Sequence, residues 1–379
     1  LSLSDIMGVR PSGPNSIDIV LAHPNAFLLS DLALVSVVKA DKTQSTTGPF
    51  MVVSRTPQEA VLRAYPRYYR GRPELSEIDV KSYPTQRNAW AALMRGDIDM
   101  LQEVSRDAAD FVQAESTVSS YSFARPYYIP LVFNVRHPVL KNAEVRKALN
   151  EALDRAALVR DGLKGWGRPA DGPIPTEHWA YSRGTPFEFS PDSARARLDA
   201  AGYRLKSGHG NAAIPTRFSF NCLVYTGDTR FERLALLVQK QLADVGVDMQ
   251  LVPVKDTREW VDRMRTGNFD AFLFEMYGRS LSWVYQLWHS NSGELNSGYR
   301  SADNALERLR SSRSDDEIRA AIAELTRVMH DDPPAAFLAW QTTTRAVSNR
   351  FDVRSENDRD IFANVWQWRP AGAGEQADR

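Results

Sequence analysis

Met94-Arg95-Gly96-Asp97-Ile98-Asp99-Met100-Leu101 and Met264-Arg265-Thr266-Gly267-Asn268-Phe269-Asp270-Ala271-Phe272-Leu273 carry the reading of this chain. In each stretch a helical segment closes on basic residues and a Gly suited to the left-handed position after a helix. A strand mixing polar and apolar residues then begins. The same phrase in both halves predicts two α/β lobes wired alike. Two such lobes flanking a cleft form a ligand-binding clamp.

Around the first phrase, Thr46-Thr47-Gly48-Pro49 reads as a turn into a buried strand from Phe50 to Val53. The strand Ile78–Tyr83, the helix Gln86–Arg95 and the strand Ile98–Leu101 have the order of a βαβ unit with parallel strands. Upstream, Ser16–Leu21 alternates weakly as a strand, and Asn25–Val38 is an apolar run. Downstream come the strand Leu131–Val135 and a helix capped by Asn142, with Val145, Leu149, Ala152, Leu153 and Ala156 at helical spacing through Val159. Residues 162–190 are rich in Gly, Pro and aromatics without a period, which predicts a long irregular excursion.

Around the second phrase the pattern is clearer. Strand Thr216–Val224, helix Arg230–Val245 ended by Gly246, and strand Val247–Val254 precede a helix capped by Asp256 or Thr257. That helix stops at Gly267, and Phe269–Tyr277 reads as a nearly unbroken apolar strand, suited to a central parallel position covered on both faces. Two successive βαβ units are therefore expected. Helices Asn304–Arg310 and Glu317–His330, the strand Ala335–Trp340 and the segment Phe362–Trp368 follow. The polar tail Gly372–Arg379 is expected to be disordered.

Bulk properties agree with two lobes. At 379 residues the chain exceeds the ~250–300 residues that one hydrophobic core supports. Formal net charge is zero and there is no sustained basic stripe, which argues against a nucleic-acid partner within this chain. The apolar runs are far shorter than the ~18–20 residues that span a bilayer. The chain opens on Leu1 without an initiator Met, so the targeting information is expected to lie outside it. The single Cys222 excludes an internal disulfide and reads as a buried small hydrophobe. Six histidines stand singly, with no metal-ligand spacing, no G-x-S-x-G elbow and no Gly-rich phosphate loop. No metal, cofactor or catalytic residue is expected.

In an open parallel sheet, ligands sit beyond the carboxyl ends of the strands. Here those ends are Tyr225-Thr226-Gly227-Asp228 and Tyr277-Gly278-Arg279-Ser280-Leu281-Ser282-Trp283. Tyr277 and Trp283 are the expected aromatic walls, and Tyr225 is a candidate by its place at a strand end.

Six phrases in order carry a resemblance: Thr47-Gly48-Pro49-Phe50, Leu93 to Asp99, Phe133-Asn134-Val135 followed by Val145-Arg146-Lys147-Ala148-Leu149, Ala194 to Gly202, Gly267-Asn268-Phe269-Asp270, and Asp331 to Trp340. With them the chain resembles, from about Ser16 to Trp368, the family 5 extracellular solute-binding proteins, the dipeptide, oligopeptide and nickel receptors of ABC importers. The resemblance implies an α/β, bilobal periplasmic-binding-protein-like clamp of type II, family 5 variant, with two mixed sheets and a ligand cleft. Lobe one would comprise residues 1–136, incomplete at its N-terminus, together with 336–379. Lobe two, residues 137–335, would be inserted between them. The family's first strands have no counterpart here, so poor stability of the isolated chain is expected.

The resemblance also implies capture of a peptide-like or other small polar solute and its delivery to membrane permease subunits. The protein would be a monomer in the periplasm or outside the cell, with lipid anchoring an open matter. A ligand-sensing domain of a transcriptional regulator is the alternative. An enzyme on this scaffold is a third reading, weakened by the lack of a nucleophile and base.

Against the family's W-x-A-D-Y segment, Met276 stands for the Trp and Arg279 for the Asp that commonly receives a peptide's ammonium. A guanidinium there favours an anionic or oxygen-rich ligand group, unless Arg279 pairs with Glu275 or faces solvent. Tyr127 and Tyr128 lie just before the implied lobe crossing and join the candidates, whereas Trp288, Trp340 and Trp366 read as structural.

Overall fold

The computed structural model describes residues 3, 5–35, 47–104, 108–205, 215–278, 280–354 and 359–372. The chain begins with strands β1 (Ile6–Gly13) and β2 (Ser16–Leu21), helix α1 (Leu28–Leu32), strands β3 (Phe50–Arg55), β4 (Glu59–Ala64) and β5 (Glu77–Lys81), and helix α2 (Gln86–Arg95). Strand β6 (Met100–Leu101), helix α3 (Ala109–Ala114), the long strand β7 (Val118–Phe133), helices α4 (Ala143–Glu151) and α5 (Arg155–Ala157), strand β8 (Gly167–Pro169) and helix α6 (Pro191–Ala200) come next. Then β9 (Phe218–Tyr225), α7 (Thr229–Ala243), β10 (Val247–Val254), α8 (Thr257–Thr266), β11 (Ala271–Leu273), β12 (Met276–Tyr277) and α9 (Leu281–Trp288) alternate. Helices α10 (Asp303–Ser311) and α11 (Asp315–Asp331) and strands β13 (Ala335–Ser348), β14 (Phe351–Asp352) and β15 (Arg369–Pro370) complete the chain.

Two compact units form. The first joins Leu1–Leu34 to Pro126–Gln341, and the second joins Val35–Arg125 to Thr342–Arg379. Strands β7 and β13 each run from one unit into the other. This division groups the first 34 residues with the 126–341 block, and it passes from unit to unit within the two long strands.

In the first unit, β9 lies between β10 and β11, parallel to both, and β11 is antiparallel to β7. The two expected βαβ units are thus present, through α7 and α8. Side-chain alternation assigns the two faces of this sheet. Cys222, Val224, Ala271 and Leu273 pack with Phe231, Leu234 and Val238 of α7 and Leu149 of α4. Leu223 and Phe272 face the opposite way, toward Trp260 of α8 and Ile322, Leu325 and Met329 of α11. Cys222 is fully buried, as read, and its burial pushes the thiol pKa up.

The second quoted phrase turns at Gly267, whose φ of +75° suits Gly. A Cβ there would meet an Arg136 guanidinium nitrogen and lie 2.6 Å from the Asn296 carbonyl, so the site excludes larger residues on two grounds. Asn134 stitches this turn to β7, its amide donating to the carbonyls of Gly267 (3.1 Å) and Phe269 (2.7 Å). Buried Arg146 of α4 donates to the carbonyls of Pro333 (2.7 Å) and Leu140 and pairs with Asp332, which fastens α4 to the end of α11.

Two expectations about this unit change. The helix expected through Val159 stops at Glu151, and Asp154 caps a new start by accepting from the Ala157 N–H. A wide π turn then covers Leu158–Gly162. The run Phe269–Tyr277 is two short strands, because the chain leaves β9 after Leu273 and re-pairs with β7 only at Met276.

The second unit is antiparallel where a βαβ crossover was expected. β5 belongs to a meander with β3 and β4, whereas β6 after α2 pairs antiparallel with β13 through Leu101 and Ala346. Helix α2 does end on Gly96 at φ +76°, so the phrase encodes the helix stop but not the sheet partner. The strand read as buried, Phe50–Val53, is exposed, with Met51, Val52 and Val53 at 47, 63 and 50 %. Val347, Val353, Ile361 and Trp368 form a small core of this unit. The Arg345 guanidinium binds both oxygens of Asp360 at 2.7 Å and covers the Phe362 ring at 4.2 Å. The tail beyond Gly372 lies outside the described residues.

Candidate functional site

The carboxyl ends of β9 and β11 and the start of α7 carry charged groups from distant parts of the chain. Asp228 caps α7 by accepting from the Arg230 N–H at 2.9 Å, and its other oxygen receives Arg230 Nε at 2.6 Å. That geometry aims the guanidinium at β13, where Arg230 donates to Gln341 Oε1 at 2.9 Å. Gln341, only 1 % exposed, in turn donates to Glu275 Oε2 at 2.8 Å. Arg230 and Glu275 are themselves 4.0 Å apart. The result is a buried amide bridging a cation and an anion beyond the strand ends, with two carboxylates to one guanidinium.

Beside it stands an aromatic ladder. β12 pairs with β7 so that Tyr277 lies opposite Tyr127 and Met276 opposite Tyr128. Strand alternation then separates the candidates. Tyr127 and Tyr277, both partly exposed, meet edge to face at 5.2 Å, and Trp283 of α9 adds a third ring 5.2 Å from Tyr277. Met276 and Tyr128 turn inward: both are buried in the core, and the Tyr128 hydroxyl accepts from Trp288 Nε1 at 3.0 Å. Burial pushes the Tyr128 hydroxyl pKa upward, so it stays protonated.

Gly278 closes the turn after β12, donating its N–H to the Pro126 carbonyl at 2.8 Å. A Cβ at Gly278 would lie 2.5 Å from the Trp340 ring edge and 3.0 Å from Tyr128. Trp288 and Trp340 are core residues of this unit, 2 and 3 % exposed.

The ladder therefore joins Tyr127, Tyr277 and Trp283. Tyr225 belongs to a different cluster, with Phe231, Trp260 and Phe274, and its hydroxyl reaches Thr257 at 3.5 Å. Arg279 lies outside the described residues, and Glu275, the partner it would take if it did not face a ligand, accepts from Gln341. Sequence reading did not find Arg230 or Gln341 as site residues, because nothing local marks a Gln 66 positions from the Glu it binds. Among the described residues, no group of three His, Cys, Asp or Glu side chains could hold a metal ion, and no helix is long and apolar enough to cross a membrane.

Comparison with known proteins defines the class. The chain shares the two-lobed α/β fold of periplasmic binding proteins. It superposes on the ABC transporter substrate-binding protein CtaP from Listeria monocytogenes with a TM-score of 0.82 at 17 % identity, over 96 % of this chain and 77 % of that one. Residues 3–297 match the family model described as "Bacterial extracellular solute-binding proteins, family 5 Middle". The chain belongs to that family. It is 26 % identical over 341 residues to the oligopeptide-binding protein AppA of Bacillus subtilis, covering 85 % of this chain and 61 % of AppA. With heme-binding protein A of Haemophilus influenzae it shares 25 % identity over 297 residues, 72 % of this chain and 52 % of that protein. The chain thus spans between half and two thirds of the length of these relatives.

Proposed function

We propose that the chain is the solute-capturing component of an ABC importer, acting in the periplasm or outside the cell as a monomer that hands its ligand to a membrane permease. The observation that carries the ligand-binding reading is the Tyr127–Tyr277–Trp283 ladder beside the Asp228–Arg230–Gln341–Glu275 network. Partly exposed rings supply flat contact area at low cost in side-chain entropy, and the adjoining charges orient polar groups. No reaction is required of such a site. A solute that binds one conformation better shifts the population toward it, and that conformation is what the permease reads.

The ligand class is a short peptide or similarly polar solute. The relatives' names, an oligopeptide-binding and a heme-binding protein among them, show how widely ligands vary across matching chains. Arg279 adjoins the ladder in sequence, and its guanidinium favours a ligand carboxylate. Tyr225 and Met276, set apart from the ladder, serve the scaffold of the site.

The test is a thermal-shift and calorimetric screen of the purified chain against di- to pentapeptides and glutathione. A binding peptide should raise the melting temperature, and Tyr277→Ala and Trp283→Ala should each weaken that peptide at least tenfold, about 1.4 kcal/mol. Undiminished binding by both folded variants would remove the ladder from the site.

A further inference from the structure

The first unit contains a cavity of about 350 Å³ remote in composition from the aromatic ladder, at the edge of β13 that β8 leaves uncovered. β8 pairs only with Ala339–Gln341 of β13. Ahead of that point two side chains take the place of a neighbouring strand. Asn150 donates to the Ala335 carbonyl at 3.3 Å, and Arg155 donates through Nε to the Phe337 carbonyl at 2.7 Å. The remaining walls come from the irregular excursion, with Thr185 and Phe187, and from α11, with Met329 and His330. Phe187 stacks on the His330 ring at 4.6 Å and 23°.

Arg155 is the unusual member. Its other donors go to the Asn150 and Leu153 carbonyls and to Asn150 Oδ1 at 2.6 Å, all neutral acceptors. No carboxylate among the described residues forms an ion pair with it. The two acids lining the cavity are engaged locally: Asp154 accepts from the Ala157 N–H at 2.9 Å, and Asp171 from the Tyr181 hydroxyl. Desolvation lowers the Arg155 pKa to about 10, against the weaker pull of Asp171, so the guanidinium still carries its charge at neutral pH. A desolvated cation without an ion-pair partner draws an anion to its cavity. The flat Phe187–His330 stack and Met329 accept an apolar body.

We propose that this cavity is a second ligand site, binding a small organic acid with its carboxylate toward Arg155 and a flat apolar body against Phe187 and His330. The volume suits a molecule of one ring. The site is independent of the solute-capture reading, since it shares no residue with the ladder or the Gln341 network.

The experiment uses the whole chain and three probes, benzoate, its neutral isostere benzamide, and acetate, in saturation-transfer NMR with titration. Benzoate should bind at least tenfold more tightly than either of the others, because benzamide lacks the charge and acetate the ring. Arg155→Gln keeps a donor for the Phe337 carbonyl but removes the charge, and should bring benzoate down to the level of benzamide. Phe187→Ala, remote from the β13 edge bonds, should weaken benzoate and benzamide alike and serves if Arg155→Gln does not fold. Equal binding of benzoate and benzamide by the unsubstituted chain overturns the proposal. So does benzoate binding that survives Phe187→Ala unchanged.

Discussion

Gln341→Leu tests the network that joins β13 to the strand ends. Gln341 is buried and makes two hydrogen bonds, each to a charged partner: it accepts from Arg230 at 2.9 Å and donates to Glu275 at 2.8 Å. Bonds of this kind contribute roughly 1.5–3 kcal/mol each, so about 3–6 kcal/mol is removed. Two terms offset the loss. Arg230 and Glu275 are 4.0 Å apart and partly solvated, so closing on each other returns at most about 1 kcal/mol. Burying the leucine stabilises by another ~1–2 kcal/mol. The balance is a loss of about 2 kcal/mol, or roughly 4–8 °C in melting temperature for a unit of this size. The assay is urea and thermal denaturation followed by circular dichroism. A Gln341→Leu protein melting within 1 °C of the unsubstituted chain would mean that the amide bridge contributes nothing, and the network would lose its claim to organise the site.

Gly278→Ala should destabilise by about 1–3 kcal/mol, since its Cβ would crowd the rings of Trp340 and Tyr128 in a filled core; an unchanged urea midpoint would contradict that packing. Cys222, fully buried with a raised pKa, should resist a thiol reagent such as DTNB in the folded state and react on unfolding in urea, and stoichiometric labelling of the native chain would refute its placement. Burial lowers the His178 pKa, and its Nδ1 accepts from the Ala180 N–H at 3.2 Å, so the folded state holds the ring neutral. The unfolded chain then binds the proton first. Stability is full above the ordinary value near ~6.5 and falls as pH drops toward the folded value. His178→Gln should flatten that part of the stability profile, and a profile identical to that of the unsubstituted protein counts against it.

Local order was legible in the sequence wherever one short segment decides the outcome. Gly96 and Gly267 end their helices in the left-handed conformation because no intrahelical bond or Cβ opposes it, and Asn142 and Asp256 cap theirs with their own side chains. The helices α7, α8 and α11 and the two parallel crossovers follow from apolar spacing, which is a local property. The family phrases are local too, which is why membership in the solute-binding family could be read from them and was then matched over residues 3–297.

What each segment packs against was decided only by tertiary structure. The two quoted phrases end their helices alike, yet one sets β11 parallel to β9 while the other sends β6 to an antiparallel partner at Ala346, far along the chain. Exposure of Met51, Val52 and Val53 likewise depends on what covers a strand, which its own residues do not state. In the candidate site, aromatic type and strand-end position pointed to Tyr277 and Trp283, and the lobe crossing implied by the resemblance pointed to Tyr127. The register of β12 on β7 then turned Met276 inward and Tyr277 toward the other rings. Arg230, Glu275 and Gln341 have no signature in sequence because their relation is a set of distances between groups on separate elements. Folding creates those distances, and composition and spacing do not encode them.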